Sequence, residues 1–157
     1  MTQLATFGAG CFWGIQALFE QQAGIDKSSV GYMGGLLQNP SYEDVCTGRS
    51  QHVEVVQLEF DNSVISFPQL LQLFWSNHDP TTLNRQGPDR GTQYRSVVFF
   101  HSPQQQAQAL TLMSEMQTSG IFSAPIVTAI EPAQEYWPAE EYHQHYLAKR
   151  QLHSCRI

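Results

Sequence analysis

Hydrophobic and polar residues follow one another with two different periods along this chain. Residues 3–8 have the composition of a short strand, and a glycine-rich turn follows them. Beyond the turn, apolar residues recur three and four positions apart, at Phe12, Ile15, Leu18 and Phe19. Side chains with that spacing share one face of a helix. The pattern therefore predicts a strand, a turn and a helix, with Cys11 in the first turn of that helix.

The rest of the pattern predicts further strands and helices in mixed order. Strands are predicted at residues 28–33, His52–Phe60, Tyr94–Phe100 and Pro125–Glu131. Ser-x-x-Gln capping boxes with an early proline predict helices at Ser66 and Ser102, and a last helix is predicted at Ala139–Lys149. This order favours an α/β (α+β) fold, a two-layer sandwich of helices packed on an open mixed sheet. We expect it to form a ferredoxin-like plait.

Two connections, residues 34–51 and 78–93, are longer than a simple link requires. Ordered loops of this length are uncommon in compact domains and often form binding sites. We therefore expect both loops to border the functional site.

Length and composition predict one compact domain. Of the 157 residues, 41% are hydrophobic and 14% are charged, which suits a chain with a substantial core. The net charge of −6, without a basic stripe, argues against nucleic acid or an anionic membrane as a partner. No signal peptide pattern and no apolar run of membrane-spanning length is present. We expect a cytoplasmic monomer with one catalytic domain over residues 1–157 and a mobile tail from about residue 148.

Three cysteines, Cys11, Cys46 and Cys155, are too few and too widely spaced for a disulfide framework. Cys11 has the context of a nucleophile, because the free N–H groups and the positive end of a helix favour a thiolate. The alternative is a small buried hydrophobic residue. Cys46 is interpreted as structural. Cys155 is either a tail cysteine without a role or a thiol that closes a disulfide with oxidised Cys11.

Glu54 breaks the pattern of its predicted strand. It has the same parity as Val56, Leu58 and Phe60, so alternation points its carboxyl toward the buried face. Burial disfavours the charged form of a carboxyl and keeps it ready to donate a proton near neutral pH. Two structural alternatives are a bulge between Val55 and Val56 and a salt bridge to an arginine.

Several other side chains have weaker functional signals. Trp13 lies off the apolar stripe of its helix, so it either packs beneath a loop or walls an apolar pocket beside the thiol. Tyr42 and Tyr94 stand at the edges of the long loops, where a phenol either packs or donates a hydrogen bond to a substrate. Asp89 is expected to make a local hydrogen bond in a turn.

Two other functions fit parts of the same sequence. A cysteine acyl hydrolase would combine Cys11 with His52 or His78 and with Asp79. A binding module would use an aromatic pocket to hold thioether or methylated side chains, with an inert cysteine. A metal site is not expected, because the two histidines of HQH would point about 200° apart on a helix.

Seven ordered segments resemble peptide methionine sulfoxide reductase of the A type. They are GCFWG, GYMGG, NPSYEDVC, HVEVV, NHDPTT, RQGPDRGTQYRS and EEYHQHYL, and they extend over nearly the whole chain. The resemblance implies a two-layer α/β domain that reduces the S epimer of methionine sulfoxide, free or in proteins, without a metal or bound cofactor. It also implies thioredoxin as the reductant.

The resemblance assigns a role to each motif residue. By position, Cys11 corresponds to the nucleophile and Glu54 to the proton donor, while Phe12 and Trp13 correspond to a cage for the substrate methyl group. The motif residues that bind or orient the substrate correspond to Tyr42, Tyr94 and Asp89.

The chain departs from the family near its C-terminus. Where relatives often have a glycine-flanked G-Y-C, this chain reads KRQLHSCRI. Cys155 still lies at the matching distance from His143, so the resemblance implies that Cys155 resolves the sulfenic acid of Cys11 as a disulfide. No second recycling cysteine follows it.

Overall fold

The structure is a computed structural model that describes residues 2–150. Its strands are β1 (Thr2–Ala9), β2 (Ile25–Met33), β3 (Val53–Asp61), β4 (Arg85–Gln86), β5 (Asp89–Arg90), β6 (Ser96–Phe100), β7 (Ala129–Pro132) and β8 (Trp137–Pro138). Its helices are α1 (Phe12–Glu20), α2 (Tyr42–Cys46), α3 (Phe67–Ser76), α4 (Pro103–Ser119) and α5 (Tyr146–Lys149), with 3₁₀ turns at Thr92–Tyr94 and Glu141–His143. None of the helices in this part of the chain is long and apolar enough to cross a membrane.

One mixed sheet has the strand order β7-β6-β1-β3-β2-β8, and β4 pairs with β5 in a separate hairpin. Strand β1 lies between β3 and β6 and is antiparallel to both, whereas β6 and β7 are parallel. The predicted two-layer α/β class is confirmed, and the ferredoxin-like plait stays a prediction. Because β1 leads directly into α1, Cys11 falls in the turn between a central strand and its helix.

Hydrophobic side chains cover both faces of the sheet. On one face, Phe7 of β1 stacks on Phe19 of α1 and on Phe74 of α3, with ring centroids 5.4 Å and 5.1 Å apart. A smaller cluster contains Val55 of β3, and the C-terminal segment packs on it through Tyr136. These contacts fix α1 and α3 over the sheet and leave the loops at the ends of the strands to form the site.

The predicted starts of three helices are confirmed. Ser66 and Ser102 accept hydrogen bonds from the N–H groups of Gln69 and Gln105, and prolines follow both caps. Cys11 is the N-cap residue of α1. Local patterns sufficed here because each cap depends only on residues within one turn.

The predicted continuous helix over Ala139–Lys149 is wrong. It breaks into a 3₁₀ turn and α5, because His145 between them has a left-handed backbone conformation with φ of 54°. The side chain of Gln144 accepts a hydrogen bond from the N–H of Val30 and donates one to the carbonyl oxygen of Val30. It thereby pairs with strand β2, and the chain turns around this contact.

Two predicted strands are also shorter than expected. Tyr94 belongs to a 3₁₀ turn, where its N–H donates to the carbonyl of Gly91, so β6 begins only at Ser96. The strand predicted from Pro125 begins at Ala129. Its earlier N–H groups bond outside the sheet, since Ile126 donates to the Gln117 side chain and Val127 to the Pro80 carbonyl.

Candidate active site

Cys11 occupies the turn that joins β1 to α1, and its side chain is partly buried. Gly10 before it has φ of 92°, and a Cβ atom there would lie 2.8 Å from Cβ and Cγ of Gln86. Only glycine tolerates both this conformation and this contact. The turn therefore places Cys11 at the positive end of α1 and against the loop that follows α3.

Glu54 points to the buried face of β3, as its parity predicts. Its side chain is 1% exposed, and Oε1 accepts a hydrogen bond from the N–H of Phe12 over 3.3 Å. The register between β2 and β3 runs unbroken through Val55 and Val56, so there is no bulge between them. The carboxyl group therefore lies against the first turn of the helix that Cys11 caps.

Tyr42 and Tyr94 bring phenol groups to this place from the two long loops. Tyr42 is the first residue of α2, and Tyr94 closes its 3₁₀ turn. Burial is the largest cause that raises the pKa of both phenols, and a hydrogen bond with Cys46 adds to the rise at Tyr42. Both phenols are therefore protonated at neutral pH and can donate hydrogen bonds.

An open cleft of about 1120 Å³ brings most of the predicted residues together. Those that line it are Cys11, Trp13, Tyr42, Asp89 and Tyr94. Both long loops contribute to its wall, as predicted. Glu54 and Phe12 are not part of the lining, and each is only 1% exposed.

Trp13 is held by the C-terminal segment. Its Nε1–H donates to Nδ1 of His143 over 2.9 Å, and its ring stacks on Tyr146 with centroids 3.7 Å apart and planes 6° from parallel. The guanidinium carbon of Arg150 lies 3.7 Å from the centroid of the same tyrosine. The indole thus packs against a neighbouring segment and also lines the cleft beside Cys11.

Phe12 packs among aromatic rings behind the cleft. Its ring centroid lies 5.2 Å from that of His143, 5.8 Å from that of Tyr32 and 6.5 Å from that of Tyr42. The ring therefore supports the site from within the core.

Glu140 is a site residue that the sequence analysis missed. Its carboxylate accepts hydrogen bonds from the hydroxyl of Tyr32 over 2.9 Å and from the N–H of Tyr42 over 3.0 Å. Burial alone would raise the pKa of Glu140. The hydrogen bonds to its carboxylate, of which the one from the Tyr42 N–H is the strongest, outweigh burial, so the pKa is lowered. Glu140 is therefore an anion, and its carboxylate fixes the first residue of α2. Glu140 begins the segment EEYHQHYL, whose helical period does not indicate this contact.

The histidines proposed for an acyl hydrolase are already engaged. His52 accepts from the N–H of Gly35 at Nδ1 and donates to the carbonyl of Leu37 at Nε2. His78 donates to the carbonyl of Phe74 at Nδ1, so its Nε2 accepts from the hydroxyl of Ser96. Neither ring has a nitrogen left to activate Cys11. Within residues 2–150, no group of three His, Cys, Asp or Glu side chains is arranged to hold a metal ion.

Comparison with known proteins decides the family. A family model described as peptide methionine sulfoxide reductase matches residues 3–157. The chain belongs to this family. It is 57% identical to peptide methionine sulfoxide reductase MsrA of Methanoculleus marisnigri over 152 residues, which cover 97% of this chain and 93% of that protein. It is a thiol-dependent methionine sulfoxide reductase, so the acyl hydrolase and binding-module interpretations are wrong.

Solved structures of reductases have the same fold. Reduced Mxr1 from Saccharomyces cerevisiae matches this reductase with a TM-score of 0.91 and 37% identity, over 99% of this chain and 90% of that chain. Mxr1 in complex with Trx2 matches with a TM-score of 0.65 and 27% identity, over 92% and 84% of the two chains. Cys155, the predicted resolving residue, lies outside the residues that the structure describes.

Proposed function

We propose that this reductase converts the S epimer of methionine sulfoxide, free or within a protein, to methionine with Cys11 as the nucleophile. One observation carries the proposal. Cys11, Tyr42 and Tyr94 line one cleft, and the buried carboxyl group of Glu54 is hydrogen-bonded to the residue that follows the cysteine. The thiol and the two O–H donors therefore share one cleft, and the acid lies behind it against the first turn of α1.

The oxygen of a sulfoxide must be activated before a thiolate can reduce the sulfur. The sulfur is a poor electrophile, and its oxygen leaves only if it gains a proton or strong hydrogen bonds. Tyr42 and Tyr94 remain protonated and donate O–H groups to this oxygen. Glu54 supplies the proton, since burial favours the neutral form of a carboxyl.

The reaction then proceeds by two-electron steps. The thiolate of Cys11 attacks the sulfoxide sulfur, so that an S–S bond forms while the sulfoxide oxygen takes the proton of Glu54. The protonated oxygen then transfers from the substrate sulfur to the cysteine sulfur as the S–S bond breaks. Methionine leaves with the electron pair of that bond, and Cys11 becomes a sulfenic acid. The thiol of Cys155 condenses with that sulfenic acid, so that an S–S bond forms and water leaves. An external dithiol then reduces the disulfide by exchange.

Trp13 forms the apolar side of the site in this proposal, and Phe12 supports the site from the core. The indole lines the cleft, where it can contact the methyl group on the substrate sulfur, and Phe12 supports Tyr42 from behind. Asp89 lines the same cleft and helps to orient the substrate.

Thioredoxin is the proposed reductant. The support is the structure of Mxr1 in complex with Trx2, whose reductase chain matches 92% of this one. We further propose a cytoplasmic monomer with a single domain, because thiol chemistry of this kind suits a reducing compartment. The tail that the sequence predicts to be mobile falls mostly outside the residues that the structure describes.

Incubation with the separated sulfoxide epimers and dithiothreitol tests the activity, with methionine measured over time. The S epimer should yield methionine and the R epimer should remain. The matched control is Cys11→Ser, which should yield methionine from neither epimer. Equal consumption of both epimers, or reduction by the serine variant, would overturn the proposal.

A further inference from the structure

The cleft is larger than one methionine sulfoxide side chain requires. Pockets of about 300 to 1,000 Å³ hold most of a drug-sized ligand, and this cleft measures about 1120 Å³. Much of its volume therefore lies beyond the reacting sulfur.

The extra space runs along helix α1. The cleft is lined in turn by Cys11, Gly14, Ile15, Leu18 and Gln21, which share one helix face. With a rise of about 1.5 Å per residue, the ten steps from Cys11 to Gln21 correspond to about 15 Å. An extended peptide advances about 3.3 Å per residue, so this length accommodates about four residues.

We call this part of the cleft the groove, and residues 76–79 and 121–124 also line it. The chain that follows residues 121–124 is held to the loop after α3, because the N–H of Val127 donates to the carbonyl of Pro80 over 2.8 Å. Ile121 lines the groove and is 69% exposed, so a large apolar side chain lies open to an arriving ligand.

The groove presents negative charge. Asp79 and Asp89 line it, and no lysine or arginine among residues 2–150 does. Hydrogen bonds from the side chain and backbone of Thr81 lower the pKa of Asp79. His78, which also lines the groove, has its pKa lowered to about 4 by burial and adds no positive charge at neutral pH.

We propose that this groove binds about four residues that flank the oxidised methionine in an extended peptide substrate. Its chemistry favours an apolar flanking residue at Ile121 and a basic flanking residue near Asp79. The inference rests on the proposed function, since it extends the cleft in which Cys11 acts. An unfolded segment of an oxidised protein has the required shape.

Peptides of increasing length test the extent of the groove. N-acetyl methionine sulfoxide amide is compared with peptides that have one to six residues on either side of the sulfoxide. We expect KM to fall with each added residue up to about four on one side and then to level off. A KM that does not depend on length would overturn the proposal, whereas failure to reduce the amide itself would instead overturn the proposed function.

Two exposed residues provide a matched pair of variants. Ile121→Ser should raise KM for an apolar-flanked peptide about three- to tenfold, because an apolar contact is lost. KM for the amide, which has no flanking residues, should stay within about twofold of the wild-type value. Leu83 is 71% exposed and does not line the groove, so Leu83→Ser should leave KM for both substrates unchanged. Equal effects of the two variants on the peptide would contradict the inference.

A separate experiment tests whether the groove prefers a basic residue beside the oxidised methionine. Wild-type enzyme should have a lower KM for lysine-flanked than for glutamate-flanked sulfoxide peptides. This difference should shrink in Asp79→Asn and at high salt, which screens exposed charges. A preference for glutamate, or one unaffected by both changes, would overturn this part of the proposal.

Discussion

The backbone N–H of Phe12 donates to Oε1 of Glu54 across 3.3 Å, and so the buried acid is joined to the residue that follows Cys11. The bond links strand β3 to the start of α1. Movement of the carboxyl away from the first turn of α1 would have to break it.

Glu54→Gln should slow reduction by about 10² to 10⁴ without unfolding the protein. Glutamine retains the oxygen that accepts the Phe12 N–H but cannot deliver a proton as readily. Methionine formed in a single turnover with dithiothreitol measures the effect. Glu59→Gln, a partly exposed position on the same strand, serves as the control and should react like wild type. A Glu54→Gln rate within about twofold of wild type would remove Glu54 from the acid role.

Cys155→Ser should convert the enzyme to a single-turnover catalyst with thioredoxin. Without a resolving thiol, Cys11 stays oxidised after about one methionine per enzyme, as measured by a burst experiment. Cys46→Ser should continue to cycle, since serine can still hydrogen-bond to Tyr42. Unimpaired cycling of Cys155→Ser would show that another thiol resolves the sulfenic acid.

Glu140→Gln should lower kcat by about tenfold, because a hydrogen bond to a charged group is lost at the start of the helix that bears Tyr42. A double-mutant cycle with Tyr42→Phe checks the cause. Once the phenol is absent, the Glu140 substitution should have little further effect. Glu141, whose side chain is 92% exposed, is the matched control, and Glu141→Gln should leave kcat unchanged. Additive losses would assign Glu140 a role apart from Tyr42.

Sequence patterns predicted those parts of the site that depend on near neighbours. The parity of Glu54 and the cap position of Cys11 both follow from residues within one turn or a few strand positions. The contact between Glu140 and Tyr42 joins positions 98 residues apart, which no local periodicity encodes. The helical period around Gln144 was also overridden, since its amide satisfies backbone groups of β2 that helix formation would leave unpaired.

His78 should make stability depend on pH. Burial lowers its pKa from 6.5 to about 4 in the folded protein. Between these values the unfolded chain binds one more proton, so the free energy of unfolding should fall as pH decreases from about 6.5 to about 4 and then level off. The loss should be at most about 3 to 4 kcal/mol.

Urea denaturation of wild type and His78→Asn at several pH values isolates this contribution. His101 and His143 also have pKa values lowered first by burial, and both remain in the variant. The difference between the two proteins should therefore shrink as the solution is acidified. Parallel curves across this range would show that His78 does not titrate as described.

The contact of Arg150 with Tyr146, and of Tyr146 with Trp13, gives the C-terminal chain an anchor at the cleft wall. Cys155 follows Arg150 by five positions, a tether of at most about 18 Å. So short a tether would keep the thiol at an effective concentration in the millimolar range. In the proposed reaction, the disulfide between Cys11 and Cys155 would then form faster than dilute thiols capture the sulfenic acid. The aromatic residues that line the cleft for the substrate would thereby also protect the oxidised enzyme.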